Sequence, residues 1–388
     1  MEFFSAIGGG AFDVVVGYLV PFIAVLALVV FVHEMGHFLV GRWCGVGVQA
    51  FSIGFGPEIV GWNDRHGTRW KISLVPLGGY VKFFGDAGAA STPDNDGLQQ
   101  MGAADRAKSF HHKPVSQRAA IVAAGPLANF ILAVAIFAGL VYVNGRDVLI
   151  PRVDEVIEGS AAERAGFQPG DVIVEIDGRT IVGFNDMQRI VSSSAEDELT
   201  IVVDRGGALV TLTATPERRV TETAFGVQRI GMLGIQASRS PEAIRHISYG
   251  PIEAVGLGVY ESYFVVERTF DYLGKLITGR ESADQLSGPI RIAKVSGDVA
   301  EAGGILQLIT LAAVLSVSIG LINLFPVPML DGGHLMFYAI EAARGRPLSE
   351  NAQEIGFRIG FALVIFLMLF ATWNDIVHLI NPLTADGT

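Results

Sequence analysis

The sequence predicts a polytopic α-helical membrane protein with four transmembrane helices, one inserted β-rich domain and a membrane-associated β-hairpin. Half of the 388 residues are hydrophobic, 17% are charged and the mean hydropathy is +0.44, which is too apolar for an ordinary soluble chain of this length. Four separate stretches concentrate this apolar character. Between the second and third of them, short β-branched runs alternate with glycine-containing turns, which is typical of a small β-rich domain.

The four apolar stretches run from about residue 18 to 40, 119 to 143, 305 to 325 and 356 to 373. Each is close to the roughly 20 residues that cross a hydrocarbon core of about 30 Å. A further apolar segment, residues 256 to 278, is interrupted by five charged residues, so we expect an interfacial or water-exposed helix there. The chain is therefore predicted to contact the lipid bilayer through four spans.

The distribution of Lys and Arg predicts the orientation. Residues 1–41 and the tail after Trp373 contain neither, whereas the connections 42–118 and 344–346 are basic. By the positive-inside rule, both termini face outward and the basic connections face the cytoplasm. The first span lacks a basic n-region, so we expect it to be retained and not cleaved as a signal peptide.

This topology divides the chain into four predicted parts. They are a membrane core with two spans at 1–146, an outward-facing β-rich domain at 147–238, an outward-facing amphipathic helix and linker at 239–304, and a second membrane core with two spans at 305–388. The net charge of −11 excludes nucleic acid as a partner, because no basic face is available to neutralise phosphates. The single cysteine, Cys44, excludes an intrachain disulfide and Cys-rich zinc sites.

The segment from Phe31 to Phe38 carries the metal-site pattern H-E-x-x-H inside the first apolar stretch. On a helix, His33 and His37 share one face, so both imidazoles can bind one Zn²⁺ while Glu34 lies beside the metal as a general base. Ionisable side chains at bilayer depth are costly and normally mark function, which makes a chance match the weaker interpretation. The motif predicts hydrolytic chemistry within the membrane, with the site toward the cytoplasmic side.

A second motif follows the third apolar stretch, at the same predicted depth. It reads NLFPVPMLDGGH from residue 323, and its prolines break the helix next to the carboxylate of Asp331. A catalytic zinc takes three protein ligands and keeps one position open for water. We therefore predict His33, His37 and Asp331 as the ligands of Zn²⁺, with His334 as the rival for the third position.

Five motifs in a fixed order resemble a known family. They are HEMGHF, GFGP, PLGGYVKFFGD, AAGPLANF and NLFPVPMLDGGH, and together they extend along nearly the whole chain. The set resembles the bacterial site-2 protease family, the RseP-type regulated intramembrane zinc metalloproteases of peptidase family M50. This resemblance implies zinc ligands at His33, His37 and Asp331 and a catalytic base at Glu34. It also implies that Asn323 and the turn from Gly125 to Asn129 line the site or hold the substrate.

The resemblance also implies the substrate class. We expect single-span membrane proteins that another protease has already shortened outside the membrane, such as anti-sigma factors or remnant signal peptides. Cleavage of their transmembrane segments would make the protein a zinc-dependent intramembrane endopeptidase in regulated intramembrane proteolysis.

The β-rich segment resembles a bacterial PDZ domain, on the run GSAAERAGFQPGDVI from Gly159 and the Asp177-Gly178 turn. Strands are predicted at 153–156, 172–176, 199–203 and 210–214, with a candidate carboxylate-binding loop at 231–235. Such domains bind a peptide C-terminus as an added strand. Many RseP-type proteins have two PDZ domains, whereas this chain has room for one. We expect it to hinder bulky ectodomains, to bind the C-terminus left by a first cut, or both.

The connection after the first span predicts a β-hairpin at the inner membrane face. Residues 69–84 alternate apolar and polar side chains, then break at Pro76 and at Gly78 and Gly79, which indicates strand, turn and strand. An exposed strand edge near these glycines could hold an unwound substrate by β-addition, or the hairpin could simply seal the cavity. Residues 86–105 are predicted to form a polar loop without chemistry.

Two functions from other classes fit parts of this pattern. A membrane PDZ scaffold would hold partners without cutting them, but it has no need of a glutamate base beside two histidines. A transporter could use intramembrane His and Asp to carry ions, but the chain lacks the internal repeat typical of that class.

Overall fold

The structure is a computed structural model that describes residues 10, 14–88, 97, 100–223, 226–237, 243–281, 283 and 286–380. Its N-terminal elements are α1 (Val20–Trp43, after a π-helical turn at Val15–Leu19), β1 (Val48–Asn63), β2 (Arg69–Phe83), α2 (Ala103–Arg106), a 3₁₀ turn (Phe110–His112) and α3 (Val115–Asn144). The predicted polar loop 86–105 lies partly outside the described residues.

The middle of the chain is rich in strands. Its elements are β3 (Arg146–Leu149), β4 (Val153–Val156), α4 (Ala161–Ala165), β5 (Val172–Ile176), β6 (Arg179–Thr180), α5 (Phe184–Ser193), β7 (Leu199–Arg205), β8 (Ala208–Ala214), β9 (Glu217–Thr223), β10 (Gly226–Met232), β11 (Ile235–Ala237) and β12 (Ile244–Ile247). Helices complete the chain: α6 (Pro251–Ile277), α7 (Pro289–Asn323), α8 (Asp331–Arg344) and α9 (Glu350–Ile380).

Four helical segments are long and apolar enough to cross a membrane, within the part of the chain that the structure describes. They are Val15–Trp43, Val115–Asn144, Pro289–Asn323 and Asn351–Val377. These segments fit a polytopic helical membrane protein and confirm the predicted number of spans. The charged helix α6 is not among them. One boundary differs from the prediction, because α7 begins at Pro289 and contains a break at Gly304, whose φ is +64°. The predicted third span is the part of α7 after this break.

Strands β1 and β2 pair antiparallel, but both are bent. Residues 79–83 of β2 pair with one edge of residues 48–53, while residues 69–72 pair with the other edge. The bend in β1 falls at Gly54 and Gly56, which have φ of +89° and +85°. The first half of β1 is therefore a central strand, and residues 79–83 form an edge.

The turn between β1 and β2 lies at residues 64–68, before the break that the sequence predicts at Pro76 to Gly79. Asp64 accepts hydrogen bonds from the backbone N–H groups of His66 (2.8 Å) and Thr68 (3.0 Å). A side chain that bonds the following backbone stabilises a tight turn. Residues 69–72 run in the same direction as residues 50–53 and residues 79–83 run opposite to them, so the chain reverses direction between the two segments, as the break at Pro76 to Gly79 predicted. Residues 48–53 lie between the two segments, so residues 69–84 do not pair with each other as a hairpin.

The sheet packs on helices through one apolar cluster. Its buried members come from α1, β1, β2, α3 and α8 and include Phe38, Phe51, Val81, Ile121 and Tyr338. Phe51 is 1% exposed and Ile121 is fully buried. Because one core includes side chains from all these elements, the strand edge at residues 79–83 is held at a fixed place beside α1.

Residues 138–257 form a separate compact unit. A four-stranded antiparallel sheet with the order β6-β5-β7-β8 packs with α4 and α5 around a core that includes Ile173, Ile201 and Val203, and β11 pairs with β4. The predicted strands at 153–156 and 172–176 match β4 and β5 in their bounds, and those at 199–203 and 210–214 fall within β7 and β8. The strands were predictable because one face of each lies on the core, so that buried and less buried residues alternate, as they do along β7.

Candidate metal centre

Three side chains that the sequence singled out meet at one point. His33 and His37 lie on consecutive turns of α1, and Asp331 is the first residue of α8, nearly 300 positions later in the chain. The two imidazole Nε2 atoms are 3.2 Å apart, and they lie 3.1 Å and 3.5 Å from Oδ2 of Asp331. Ligands at zinc distances of about 2.0–2.1 Å in a tetrahedron are roughly 3.3 Å from one another. The three atoms therefore have the spacing of a tetrahedral zinc site.

The protonation of this cluster supports a cation at its centre. Nδ1 of His37 lies 2.9 Å from the carbonyl oxygen of Ile121, so Nδ1 carries the proton and donates it, and Nε2 keeps its lone pair. Oδ2 of Asp331 is buried and has no hydrogen-bond partner among the described residues. Lone pairs that face each other without a donor repel, and a bound cation removes the repulsion. The donor set, two imidazoles and a carboxylate, is one that Zn²⁺ takes in catalytic sites.

Gly125 of α3 leaves the space that the two imidazoles occupy. A Cβ atom at this position would lie 2.9 Å from Nε2 of His33 and closer still to Nε2 of His37. The next residue, Pro126, has no N–H, so the helix of α3 loses one internal hydrogen bond beside the site. Glycine and proline in the AAGPLANF motif therefore shape the wall behind the metal centre.

A strained turn presents Asp331. Helix α7 ends at Asn323, and the chain reaches α8 through Met329, whose φ of +95° is rare for a residue other than glycine. Asp331 then starts α8, where the N-terminal end of the helix dipole favours an ionised carboxylate. Backbone strain of this kind persists where the surrounding structure enforces it and often marks a functional site.

Glu34 faces a cavity of about 590 Å³ together with the three metal-centre residues. The backbone N–H of Val81 on β2 faces its carboxylate. The cavity is also lined by Asn323, Gly79 and His334. A water molecule or a peptide in this cavity can therefore reach both the carboxylate of Glu34 and the metal centre.

The remaining predicted residues take different positions. Asn323 lines the cavity while its amide nitrogen donates to the Ile319 carbonyl at 3.0 Å. Gly79 borders Glu34, because a Cβ there would lie 3.1 Å from Cγ of Glu34. Gly78 instead lies against the ring of Phe55, and the fully buried Asn129 contacts His33.

Sequence reasoning missed two contributors to the site, the carbonyl of Ile121 and the N–H of Val81. Both are backbone groups of apolar residues, so no residue type marks them. His334, the rival ligand, contacts the rings of Tyr338 and Phe357 and is not part of the cluster of possible metal-binding side chains.

Comparison with known proteins agrees with this geometry. The family model of peptidase family M50 matches residues 21–367, which include all the residues of the metal centre. A predicted zinc metalloprotease of Agrobacterium fabrum is 55% identical over 94% of this chain and 97% of its own length. A similar protein of Rhizobium meliloti is 53% identical over 92% of this chain and 96% of its own. The metalloprotease MmpA of Caulobacter vibrioides is 42% identical over 92% and 95%.

These matches cover the chain nearly from end to end and agree on the class of enzyme. A family-wide match of this length removes the non-proteolytic scaffold and the transporter as leading alternatives. The chain belongs to peptidase family M50 and is a zinc-dependent membrane metalloendopeptidase.

Proposed function

We propose that the enzyme is a site-2 protease that cleaves transmembrane segments of pre-trimmed single-span membrane proteins in regulated intramembrane proteolysis. In this proposal, His33, His37 and Asp331 hold the zinc ion and Glu34 is the catalytic base. The observation that carries the proposal is the convergence of Nε2 of His33, Nε2 of His37 and Oδ2 of Asp331, 3.1 to 3.5 Å apart. The two histidines lie on a helix that is apolar enough to span a membrane.

The residues divide the chemistry of peptide hydrolysis among them. Bound zinc would supply a Lewis acid that polarises the scissile carbonyl and brings the pKa of a water molecule to about 7. Glu34 accepts the proton of the attacking water and then delivers it to the leaving amine. Glu34 lines the cavity and the Val81 N–H faces its carboxylate, so one residue can act first as base and then as acid.

Glu34→Gln tests this assignment. The amide keeps the size of the side chain but cannot accept the proton, and removal of a general base typically costs about 10²- to 10⁴-fold in rate. We expect purified Glu34→Gln protein to retain zinc and to lose cleavage of a model membrane substrate. Retained cleavage would contradict the role of Glu34. If the variant lost both zinc and cleavage, the loss of metal alone would explain the lower rate.

The edge of β2 is the proposed place where the substrate is held. A transmembrane helix hides its peptide groups in internal hydrogen bonds, so it must unwind before a protease can act. Val81 and Phe83 direct their N–H groups to the free edge, toward Glu34 and Asp86, and strand alternation directs the peptide groups of Gly79 the same way. An extended substrate could pair with Gly79 and with the Val81 carbonyl. This arrangement supports β-addition over a purely structural sheet.

An N-methyl scan of a model substrate peptide tests β-addition. Methylation removes one backbone N–H at a time, and a paired strand uses every second N–H. We expect kcat/KM to fall at alternate positions next to the scissile bond. An irregular or flat profile would contradict strand pairing while leaving the zinc chemistry untouched.

For the unit at residues 138–257, we propose a periplasmic PDZ-type domain. Its support is the pairing of β11 with β4 alone, among the residues that the structure describes, which leaves β11 an edge for peptide addition. The preceding loop is held by two hydrogen bonds, from the Ala162 N–H to the Leu233 carbonyl (2.8 Å) and from the Ile157 N–H to the Gly234 carbonyl (2.9 Å). A rigid loop before a free strand edge suits the capture of a peptide C-terminus.

Deletion of residues 147–238 tests the selective role of this domain. Cleavage rates of a full-length substrate and of a version already trimmed outside the membrane are compared before and after deletion. We expect the deletion to reduce the preference for the trimmed substrate. An unchanged preference would exclude both bulk exclusion and C-terminus binding as roles of the domain.

The proposed location is the bacterial inner membrane, with both termini and the β-rich unit in the periplasm. Cys44 follows α1 and is partly exposed, so it reports the side on which this end of the helix lies. A membrane-impermeant maleimide should label Cys44 only after the membrane is opened. In a Cys44→Ser background, Asp154→Cys should be labelled in intact spheroplasts. The reverse pattern would invert the topology.

A further inference from the structure

Asn129 of α3 contacts the metal centre from behind. Its side chain has no exposed surface, and its amide nitrogen lies 3.4 Å from Nδ1 of His33. The amide oxygen, Oδ1, is buried and has no hydrogen-bond partner among the described residues. One end of the amide therefore touches an imidazole nitrogen, while the acceptor at its other end is unsatisfied. Asn129 does not line the cavity that contains Glu34.

A half-turn of the Asn129 amide gives its oxygen a partner. Amide oxygen and nitrogen are nearly equal in size, and their positions are assigned from the hydrogen bonds they make. The half-turn brings Oδ1 beside Nδ1 of His33 and removes the unsatisfied acceptor. Nδ1 of His33 is the nitrogen that carries the proton, because Nε2 lies 3.1 Å from Oδ2 of Asp331 and needs its lone pair for the metal. The pair is then an N–H donor and a carbonyl acceptor.

His37 has the same arrangement with a different acceptor. Its Nδ1 donates to the Ile121 carbonyl at 2.9 Å, which fixes the tautomer and aims Nε2 at the metal centre. Metal-binding histidines generally donate their second N–H in this way. We infer that Asn129 is the positioning residue of His33, with its amide oxygen accepting the Nδ1 proton and thereby directing Nε2 toward the zinc. The inference rests on the proposed ligand role of His33.

The third span holds Asn129 in place. The hydroxyl of Ser316 on α7 donates to the backbone carbonyl of Asn129 at 2.9 Å. A Cβ at Gly320 would lie 3.2 Å from Cβ of Asn129, so α7 packs directly against this residue. Both contacts come from α7 and involve the backbone and Cβ of Asn129, not its amide group.

Zinc affinity of the full-length protein in detergent tests the inference, by competition with a chromogenic chelator. Asn129→Leu keeps the volume but removes the acceptor, and loss of such an outer partner typically weakens metal binding about 10- to 100-fold. Asn129→Asp keeps an acceptor and should bind zinc at least as tightly as the wild type. If Leu blocks folding, Asn129→Ala is measured instead. Wild-type affinity in Asn129→Leu or Asn129→Ala, or weakened affinity in Asn129→Asp, overturns the inference.

Two further variants separate this role from others. Ser316→Ala loosens the same helix contact without touching the imidazole, so its zinc affinity should stay near that of the wild type. A loss of zinc affinity equal to that of Asn129→Leu would assign the effect to helix packing. His33→Ala should lose zinc outright. If His33→Ala retains zinc, the proposed metal site is wrong. If only Asn129→Leu binds zinc normally, the metal site stands and the role of Asn129 is wrong. An Asn129→Leu protein with normal zinc affinity and raised KM would identify a substrate-positioning residue instead.

Discussion

A buried carboxylate of the β-rich unit and the metal centre of the membrane-spanning unit differ in how their polar atoms are satisfied. In the β-rich unit, Asp171 is 1% exposed and fully satisfied: Arg205 donates to both carboxylate oxygens, at 2.7 and 2.8 Å, and the Gln168 N–H donates at 2.9 Å. In the membrane unit, Oδ2 of Asp331 is buried without a hydrogen-bond partner among the described residues, 3.1 and 3.5 Å from Nε2 of His33 and of His37.

The difference separates structural from functional burial. A buried charge with a full set of partners stabilises its fold and has no remaining capacity to bind a ligand. A buried cluster that is short of donors is costly until a ligand completes it. If this comparison is right, substitutions in the two places should affect different properties, zinc binding in one and folding in the other.

The largest effect is expected for Asp331→Ala. Loss of one of the three ligand atoms should lower the zinc content from about one atom per chain to near zero and abolish cleavage. Asp375→Ala is the matched control, since this buried carboxylate accepts from the Gly288 and Arg291 N–H groups at 2.9 and 3.0 Å. It should lower thermal stability and keep the zinc. Equal zinc loss in both variants, measured by metal analysis, would break the comparison.

Gly125→Ala should have the next largest effect. Its Cβ would overlap the two imidazoles, and overpacking typically costs about 1–3 kcal/mol, or roughly 5- to 150-fold in zinc affinity. Gly139→Ala on the same helix is the control, because a Cβ there meets nothing within 4 Å. Chelator competition should show weak zinc binding in the first variant and normal binding in the second. Normal binding in both would mean that α3 does not confine the metal centre.

Arg205→Leu should act on folding alone. It leaves the Asp171 carboxylate buried without its cation, at a cost of about 2 kcal/mol, so amide exchange in β5 and β7 should be about 30-fold faster. Arg164→Leu removes an ion pair with Glu217 in which the arginine is 59% exposed, and should change exchange little. Hydrogen exchange with mass spectrometry measures both. A loss of zinc in Arg205→Leu would join the two properties that the comparison separates.

The smallest effect is a pH dependence of the difference in stability between the wild type and Arg205→Leu. Burial by itself raises the pKa of Asp171, but the hydrogen bonds from Arg205 and the Gln168 backbone outweigh it and hold the pKa below its usual value. The stability that the ionised Asp171 carboxylate contributes is complete above its unfolded-state pKa of about 3.9. It is lost as pH falls through its folded-state pKa. The gap between wild type and Arg205→Leu should be constant from about pH 7 to pH 5 and shrink below about pH 4.

Features that depend on neighbouring residues were predictable from the sequence. The four spans follow from local composition. The position of His33 and His37 on one face of the helix follows from their spacing. Asp331 was predictable because its depth follows from the count of spans. The bounds of β4 and β5 follow from alternation between glycine-containing turns.

Features that depend on distant backbone were not predictable. The turn at Asp64 was missed because its stabilising bonds run from backbone N–H groups to one side chain, while Pro76 and Gly78 gave a stronger turn signal. Gly304 breaks α7, and no neighbouring proline marks this position in the sequence. The Ile121 carbonyl and the Val81 N–H reach the site through packing, which no residue type records.

Asp86 gives the strand edge beside Glu34 a definite end. Its carboxylate accepts from the Phe83 N–H at 2.9 Å, and its own N–H donates back to the Phe83 carbonyl at 3.2 Å. A peptide that pairs with this edge must stop before Phe83, so the number of its residues between that stop and the Glu34 carboxylate is set by backbone geometry. The cleavage position would then be measured by distance along the peptide, and substrates with unrelated side chains could be cut at equivalent places.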